Sequence, residues 1–192
     1  MGRIEALRAA LRRPAVRSIS RRYFVSNGFD GTLTSIGVAT GAYLSGVPDG
    51  RTVVLVGVGG AVGLCTSGVW SVWEIERAEK INQRRDLERA MLRDLADTHI
   101  QREDRAGRAV NAIASGLGPL VGTLLPLVPF LLEGWLVSLL EATLLSVAVG
   151  VGLLFTFGAY MGSIAELNWT VTGIRMALAG ILVAVVNVLL PG

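Results

Sequence analysis

Two acidic residues lie within long apolar stretches of this 192-residue sequence. Asp30 follows Asn27 by three residues, and Glu141 lies in the apolar stretch after Gly134. A charged carboxylate at the centre of a membrane span costs about 2.5–3.5 kcal/mol on insertion scales, so it needs a cavity, a partner or water. We expect Asp30 to face an ion or proton pathway; an interfacial or helix-capping aspartate is the alternative. We expect Glu141 to be a proton relay or part of an ion path; a hydrogen bond between helices is the alternative.

A third group of acids, Glu74, Glu76 and Glu79, follows the second apolar stretch. Hard divalent cations bind several carboxylate or carbonyl oxygens, and Fe²⁺ or Mn²⁺ accepts those together with imidazole. The group is therefore a candidate metal site, and a solvated helix with pairs such as Glu76 and Lys80 is the alternative. With a single histidine and a single cysteine and no catalytic motif, the sequence does not predict an enzyme.

The elements that would position these residues are transmembrane helices. The composition is 52% hydrophobic and only 17% charged, with a mean hydropathy of +0.55. Soluble domains usually carry about a quarter charged residues. The sequence predicts an all-α, multi-pass integral membrane protein without a separate soluble domain. Its basic residues flank apolar stretches and are not interleaved with aromatics, so no nucleic-acid partner is expected.

Five transmembrane helices are predicted, at about residues 23–47, 52–73, 109–132, 135–157 and 173–190. The second has no Gly or Pro where it meets the charged segment, so we expect one helix to continue into the cytosol to about residue 97. The resulting regions are a basic amphipathic N-terminal segment (1–22), helices 1–2 (23–73), a cytoplasmic charged helical segment (74–108) and helices 3–5 (109–192).

Three irregularities are predicted along these regions. Residues 102–108 are expected to form a polar connection, and residues 158–172 a looser re-entry before the fifth helix. Three prolines, at positions 119, 126 and 129, are expected to kink or break the third helix.

Arginines set the predicted orientation. Seven precede the first helix and most of the others lie between the second and third, so the positive-inside rule puts the N-terminus in the cytoplasm. In a prokaryote this places the protein in the plasma membrane. The N-terminal segment is expected to lie on an anionic lipid leaflet, and a solvated basic tail is the alternative.

Glycines four residues apart predict close helix packing, including a homodimer interface. The pairs are Gly37/Gly41, Gly59/Gly63, Gly118/Gly122 and Gly158/Gly162.

The order of several short motifs resembles the vacuolar iron transporter family over most of the chain. The run from Ser26 through Asn27 and Asp30 to Ser35 is similar to the family's opening of the first helix, and Glu74 to Glu79 to its carboxylate-bearing cytosolic helix. Gly118 to Pro129 is similar to its third span, and Thr172 to Gly180 to the start of its fifth.

The resemblance implies five spans with the N-terminus inside, and proton-coupled export of Fe²⁺ or Mn²⁺ from the cytoplasm by a homodimer. It implies Asp30 as the membrane ligand, with Asn27 as a neutral co-ligand and Glu74, Glu76 and Glu79 at the cytoplasmic entrance. The partners are then membrane lipids, divalent metal ions and protons, and the only bound metal is the transported one.

The second helix departs from that family's pattern. The family commonly carries Ser-Met-Ala-x-Gly-Glu-Tyr there; aligned on Ser67, this chain has Gly68 and Val72 at the Met and Glu positions. The soft thioether and one carboxylate are therefore missing. The competing hypothesis is a membrane scaffold that does not transport and whose Arg-rich cytoplasmic helix binds lipid or protein.

Overall fold

The computed structural model describes residues 3–91 and 99–189, and the part of the chain that it describes is built from helices. Their bounds are α1 (Arg3–Leu11), α2 (Pro14–Leu44), α3 (Gly50–Met91), α4 (His99–Leu127), a 3₁₀ turn (Val128–Leu132), α5 (Leu139–Ile164) and α6 (Trp169–Leu189). The predicted all-α class is confirmed. Pro14 opens α2, where its missing N–H has no helical acceptor and its ring fixes a helical φ.

Four of the described helices are long and apolar enough to cross a membrane: Gly50–Ala90, Arg105–Leu132, Leu139–Ile164 and Trp169–Leu189. The first predicted span, within α2, is absent from this set because polar side chains interrupt its apolar surface. Many of them face inward, since Thr32, Ser35 and Thr40 are buried. Helix α2 contacts α3, α4, α5 and α6 and forms the centre of the bundle.

Small residues bring α2 and α4 into backbone contact. A β-carbon added at Gly122 would overlap the carbonyl oxygen of Gly28, and one at Gly31 would lie 2.8 Å from the Cα of Pro119. Two hydrogen bonds cross the same interface: Ser35 Oγ donates to the carbonyl of Thr123 at 3.0 Å, and Thr123 Oγ1 donates to the carbonyl of Gly31 at 3.2 Å. The Gly118/Gly122 pair therefore packs as predicted.

The second helix continues into the charged region, as predicted. Helix α3 runs without a break from Gly50 to Met91, and the predicted end near residue 97 lies outside the described residues. Beyond residue 73, ion pairs within one helical turn or so hold the charges: Arg77 with Glu74 at 3.7 Å and Arg84 with Glu88 at 3.3 Å.

Two predicted connections are helical instead. Residues 102–108 belong to α4, and residues 158–164 complete α5. Gly158, whose pairing with Gly162 was expected to mark close helix packing, lies in this last part of α5, and a β-carbon there would lie 2.8 Å from the Cα of Gly173. Gly158 is therefore a contact point with α6, and close packing outweighs its low helix propensity.

The third predicted span is less disrupted than its prolines suggest. Helix α4 passes through Pro119 and Pro126 and tightens into the 3₁₀ turn only at Val128. A turn follows at Glu133 and Gly134, with φ of +81° at Gly134.

Candidate functional site

A cleft of about 290 Å³ opens between α2 and α3, with Pro119 of α4 among its lining residues. Its polar side chains are those of Tyr23, Asn27, Asp30, Ser67 and Ser71. The first three recur every three or four residues, so they share one face of α2. Ser67 and Ser71 are four residues apart and share a face of α3. The cleft is therefore an oxygen-lined groove between the first two long helices.

Asp30 lies in this cleft and is exposed to it. Among the residues that the structure describes, none forms an ion pair with its carboxylate. The carboxylate is thus available to a mobile cation or proton.

Asn27 is held in a fixed orientation. Its Nδ2 donates to the carbonyl oxygen of Ser115 at 3.2 Å and also to the Ser115 hydroxyl. Because a carbonyl only accepts, the amide nitrogen must face α4, which leaves Oδ1 as the acceptor end of the side chain. The Ser115 hydroxyl in turn donates to the carbonyl of Gly68 on α3 at 2.9 Å. Asn27 and Ser115 therefore join α2, α4 and α3 beside Asp30.

The two positions that distinguish this chain from the resembled pattern both line the cleft. Gly68 approaches α4 closely, since a β-carbon there would lie 3.0 Å from both the carbonyl and the hydroxyl oxygen of Ser115. Val72 is 3% exposed. The lining set contains carboxylate, amide, hydroxyl and phenol oxygens but neither sulfur nor imidazole. Such donors suit hard cations better than soft ones.

The three acids of α3 are divided between two environments. Glu76 is 9% exposed and accepts a hydrogen bond from the phenol of Tyr23 at 3.4 Å, which places it at the end of the cleft nearer the charged half of α3. Glu74 and Glu79 are exposed, and Glu74 pairs with Arg77. In the described part of the chain, no three acidic, histidine or cysteine side chains are grouped to hold a metal ion. Asp30 and the α3 acids are therefore separate positions and do not form one ligand set.

Glu141 lies at the first turn of α5, away from this cleft. Its carboxylate accepts from the Ser138 backbone N–H at 2.7 Å and from the Ser138 hydroxyl at 2.9 Å, and Ser138 Oγ accepts from the Glu141 N–H. This is a capping box, a motif that the Ser-x-x-Glu spacing could have revealed. A proton-relay role for Glu141 stays a prediction.

Sequence reasoning missed three cleft residues, Tyr23, Ser67 and Ser71. The spacing of Ser67 and Ser71 on one face of an apolar helix was the available signal. The sequence gives no such signal for Tyr23, because an aromatic residue at the start of a span is usually an interfacial anchor.

Comparison with known proteins gives two matches. A family model described as the VIT family matches residues 70–191, which is more than half of the chain. An uncharacterized protein of Methanocaldococcus jannaschii is 26% identical over 167 residues, covering 85% of this chain and 84% of that protein. The matched family region begins in α3 and does not include α2.

Proposed function

Because the chain belongs to the VIT family, a family of membrane iron and manganese transporters, we propose that it carries Fe²⁺ or Mn²⁺ out of the cytoplasm through the cleft between α2 and α3. The observation that supports this most directly is Asp30, a cleft carboxylate with no cationic neighbour among the described residues. Asp30 is the proposed ligand, and Asn27 Oδ1 the neutral co-ligand.

Glu76, with Glu74 and Glu79 on the adjacent surface of α3, forms the proposed entrance. Cations gather at the exposed acids and then reach the partly enclosed end of the cleft beside Tyr23 and Glu76. The ion then meets Asp30 farther along α2.

Proton coupling follows from competition at Asp30. The carboxylate binds a metal ion only when it is deprotonated, so a proton arriving from the outer side displaces the metal ion, and the metal ion displaces a proton. The alternation makes the protein an antiporter.

The membrane arrangement that we propose has five spans with the N-terminus in the cytoplasm, α2 being the fifth span beside the four apolar helices. Thr32, Ser35 and Thr40 of α2 are buried in the bundle, where α2 contacts α4, α5 and α6, so these side chains need no contact with lipid. The arginines at both the start of α2 and the charged half of α3 then lie on the cytoplasmic side.

We propose a homodimer that covers the exposed side of the cleft. The apolar part of α3 is 22% buried within one chain, and Gly59 and Gly63 have open space where a side chain would be. A small-residue face of this kind lets a second helix approach closely.

Transport into proteoliposomes under a pH gradient tests the proposed function. The parent is expected to move Mn²⁺ and Fe²⁺ in exchange for protons, and Asp30→Asn to lose both metal flux and the coupled proton flux. Asp49→Asn is the matched control, since Asp49 is an exposed acid in the turn after α2 and asparagine also caps helices well. An Asp30→Asn protein that transports as well as the parent would remove Asp30 from the mechanism.

A further inference from the structure

A surface made by α1, the Arg12–Arg13 turn and the first turns of α2 carries most of the molecule's unbalanced charge. We define this basic platform as residues 3–22; it has seven arginines and one glutamate, a net charge of +6. By contrast, residues 74–91 of α3 carry five acids and five bases, with a net charge of zero. The excess positive charge is therefore concentrated in the platform.

The platform is a folded surface with an inner and an outer side. On the inner side, Ala10 is 2% exposed, and Val16 lies 3.3 Å from where a β-carbon of Gly107 would be. Helix α1 contacts α4 through this side. On the outer side, Arg8, Arg12 and Arg17 are exposed. The arginines are thus presented from a fixed support.

An apolar side chain stands among these arginines. Leu11 is 50% exposed and is flanked by Arg8 and Arg12. Cations beside an exposed leucine are suited to an anionic lipid surface, where the charges meet phosphates and the leucine enters the acyl boundary.

The platform also adjoins the membrane boundary of the bundle. The apolar span of α4 begins at Arg105, close to the Gly107 contact with Val16. At this end of the bundle the guanidinium of Arg108 lies 4.8 Å from the ring centre of Trp73, and that of Arg22 lies 5.7 Å from the ring of Tyr23. Paired arginines and aromatic rings are typical of the headgroup level.

We propose that the basic platform binds the anionic phospholipid surface of the leaflet next to it, with Leu11 inserted between the headgroups. The occupant is the lipid surface and not a soluble anion, because the cations surround an exposed apolar side chain and lie where the bundle enters the bilayer. The binding holds α1 and the start of α2 against the membrane.

The test uses the full-length protein in nanodiscs of phosphatidylcholine alone or mixed with phosphatidylglycerol. A polarity-sensitive fluorophore is attached at Leu11→Cys in a Cys65→Ala background, which removes the native thiol. The emission is expected to shift to the blue as the phosphatidylglycerol fraction rises, and to return toward the phosphatidylcholine value in high salt.

The variant arm compares two pairs of arginines. Arg12→Gln with Arg17→Gln is expected to weaken binding to the anionic surface by roughly fivefold for each arginine removed, so the blue shift should need a higher phosphatidylglycerol fraction. Arg85→Gln with Arg89→Gln removes the same charge from the balanced part of α3 and is expected to leave the curve in place. An emission that is the same in both lipid mixtures overturns the proposal and leaves the platform to an acidic protein partner. So does an equal effect of both double variants. The salt titration of the labelled protein, with all its arginines in place, tests the charge dependence without the arginine variants.

Discussion

The side-chain amide of Asn27 donates to the carbonyl oxygen of Ser115, which is the carbonyl that Pro119 leaves without its helical donor. Proline lacks an N–H, so the carbonyl four residues earlier in α4 loses its usual hydrogen bond. In a membrane helix an unsatisfied carbonyl is costly, and a neighbouring helix has to supply the donor. The proline and the cleft asparagine are therefore one structural unit.

This relationship predicts a coupling between the two residues. Asn27→Ala is expected to reduce stability by about 1–3 kcal/mol, because a buried acceptor loses its donor. In a Pro119→Ala background the restored N–H satisfies Ser115, so the same substitution should cost clearly less. Thermal unfolding of the four proteins of this double-mutant cycle in detergent measures the difference.

Asn187→Ala is the control for that cycle. Asn187 donates to the carbonyl of Val183 in its own helix, so its loss is expected to be independent of Pro119. Additive effects of Asn27→Ala and Pro119→Ala would contradict the coupling.

The close α2–α4 contact predicts that the effect of a Gly→Ala substitution on stability depends strongly on where the glycine lies. Gly122→Ala places a β-carbon onto the carbonyl oxygen of Gly28, and overpacking of this kind typically costs about 1–3 kcal/mol. Gly152→Ala, with open space around it, is expected to be neutral or stabilising because alanine favours helix. Unfolding temperature in detergent measures both, and equal temperatures would contradict the described helix crossing.

The cleft has Val72 where the resembled family commonly has a glutamate, so a glutamate at this position is expected to strengthen metal binding. Val72→Glu adds a second acid to the lining of the cleft that contains Asp30, so Mn²⁺ affinity is expected to rise by roughly tenfold, since ligand charge sets the affinity of hard cations. Isothermal titration or metal-dependent thermal shift measures it. Val69→Glu, on the same helix but outside the cleft lining, is the control. Equal gains in both variants would mean that the effect is general electrostatic attraction.

The turn after α2 predicts an acid-dependent contribution to stability. The Thr52 backbone N–H, at 2.7 Å, and then the Thr52 hydroxyl, at 2.8 Å, donate to Asp49 Oδ1 and hold the pKa of that carboxyl below its ordinary value of 3.8. A lowered folded-state pKa means that the contribution is complete above the unfolded value of about 3.8 and is lost as the pH falls through the folded value.

The measurement compares the unfolding temperatures of the parent and Asp49→Ala as the pH is lowered. The parent is expected to be the more stable at neutral pH, with the gap closing below about pH 3.8. Glu133, which accepts from the Gly50 N–H at 3.3 Å at the same turn, is present in both proteins, so the comparison isolates Asp49. A gap that stays constant with pH would show that the carboxylate charge does not contribute.

Long periodic or apolar segments were predictable because their signals are local. The unbroken α3 follows from the absence of Gly and Pro after Gly68. Asp30 was chosen as a candidate because a carboxylate in an apolar stretch is costly unless it faces a cavity, a partner or water. The continuation of α5 beyond Gly158 was not predicted, because the contact that Gly158 makes with Gly173 of α6 depends on how the two helices cross.

The partners of the cleft residues were not predictable. Nothing in the sequence pairs Asn27 with Ser115, 88 residues away, because the pairing depends on how α2 crosses α4. The same holds for Tyr23 and Glu76, 53 residues apart. Such contacts follow from the bundle geometry that the glycine positions set.

Helix α3 is 42 residues long, about 63 Å at the usual rise, or roughly twice the thickness of a bilayer's hydrocarbon core. It has no joint between Gly68 in the cleft and Met91 at the far end. If the helix tilts as a rigid body by about 5° about Gly68, its end at Met91 moves by roughly 3 Å. A force on the charged end of α3 therefore acts on the whole helix, including Gly68 and Val72 in the cleft.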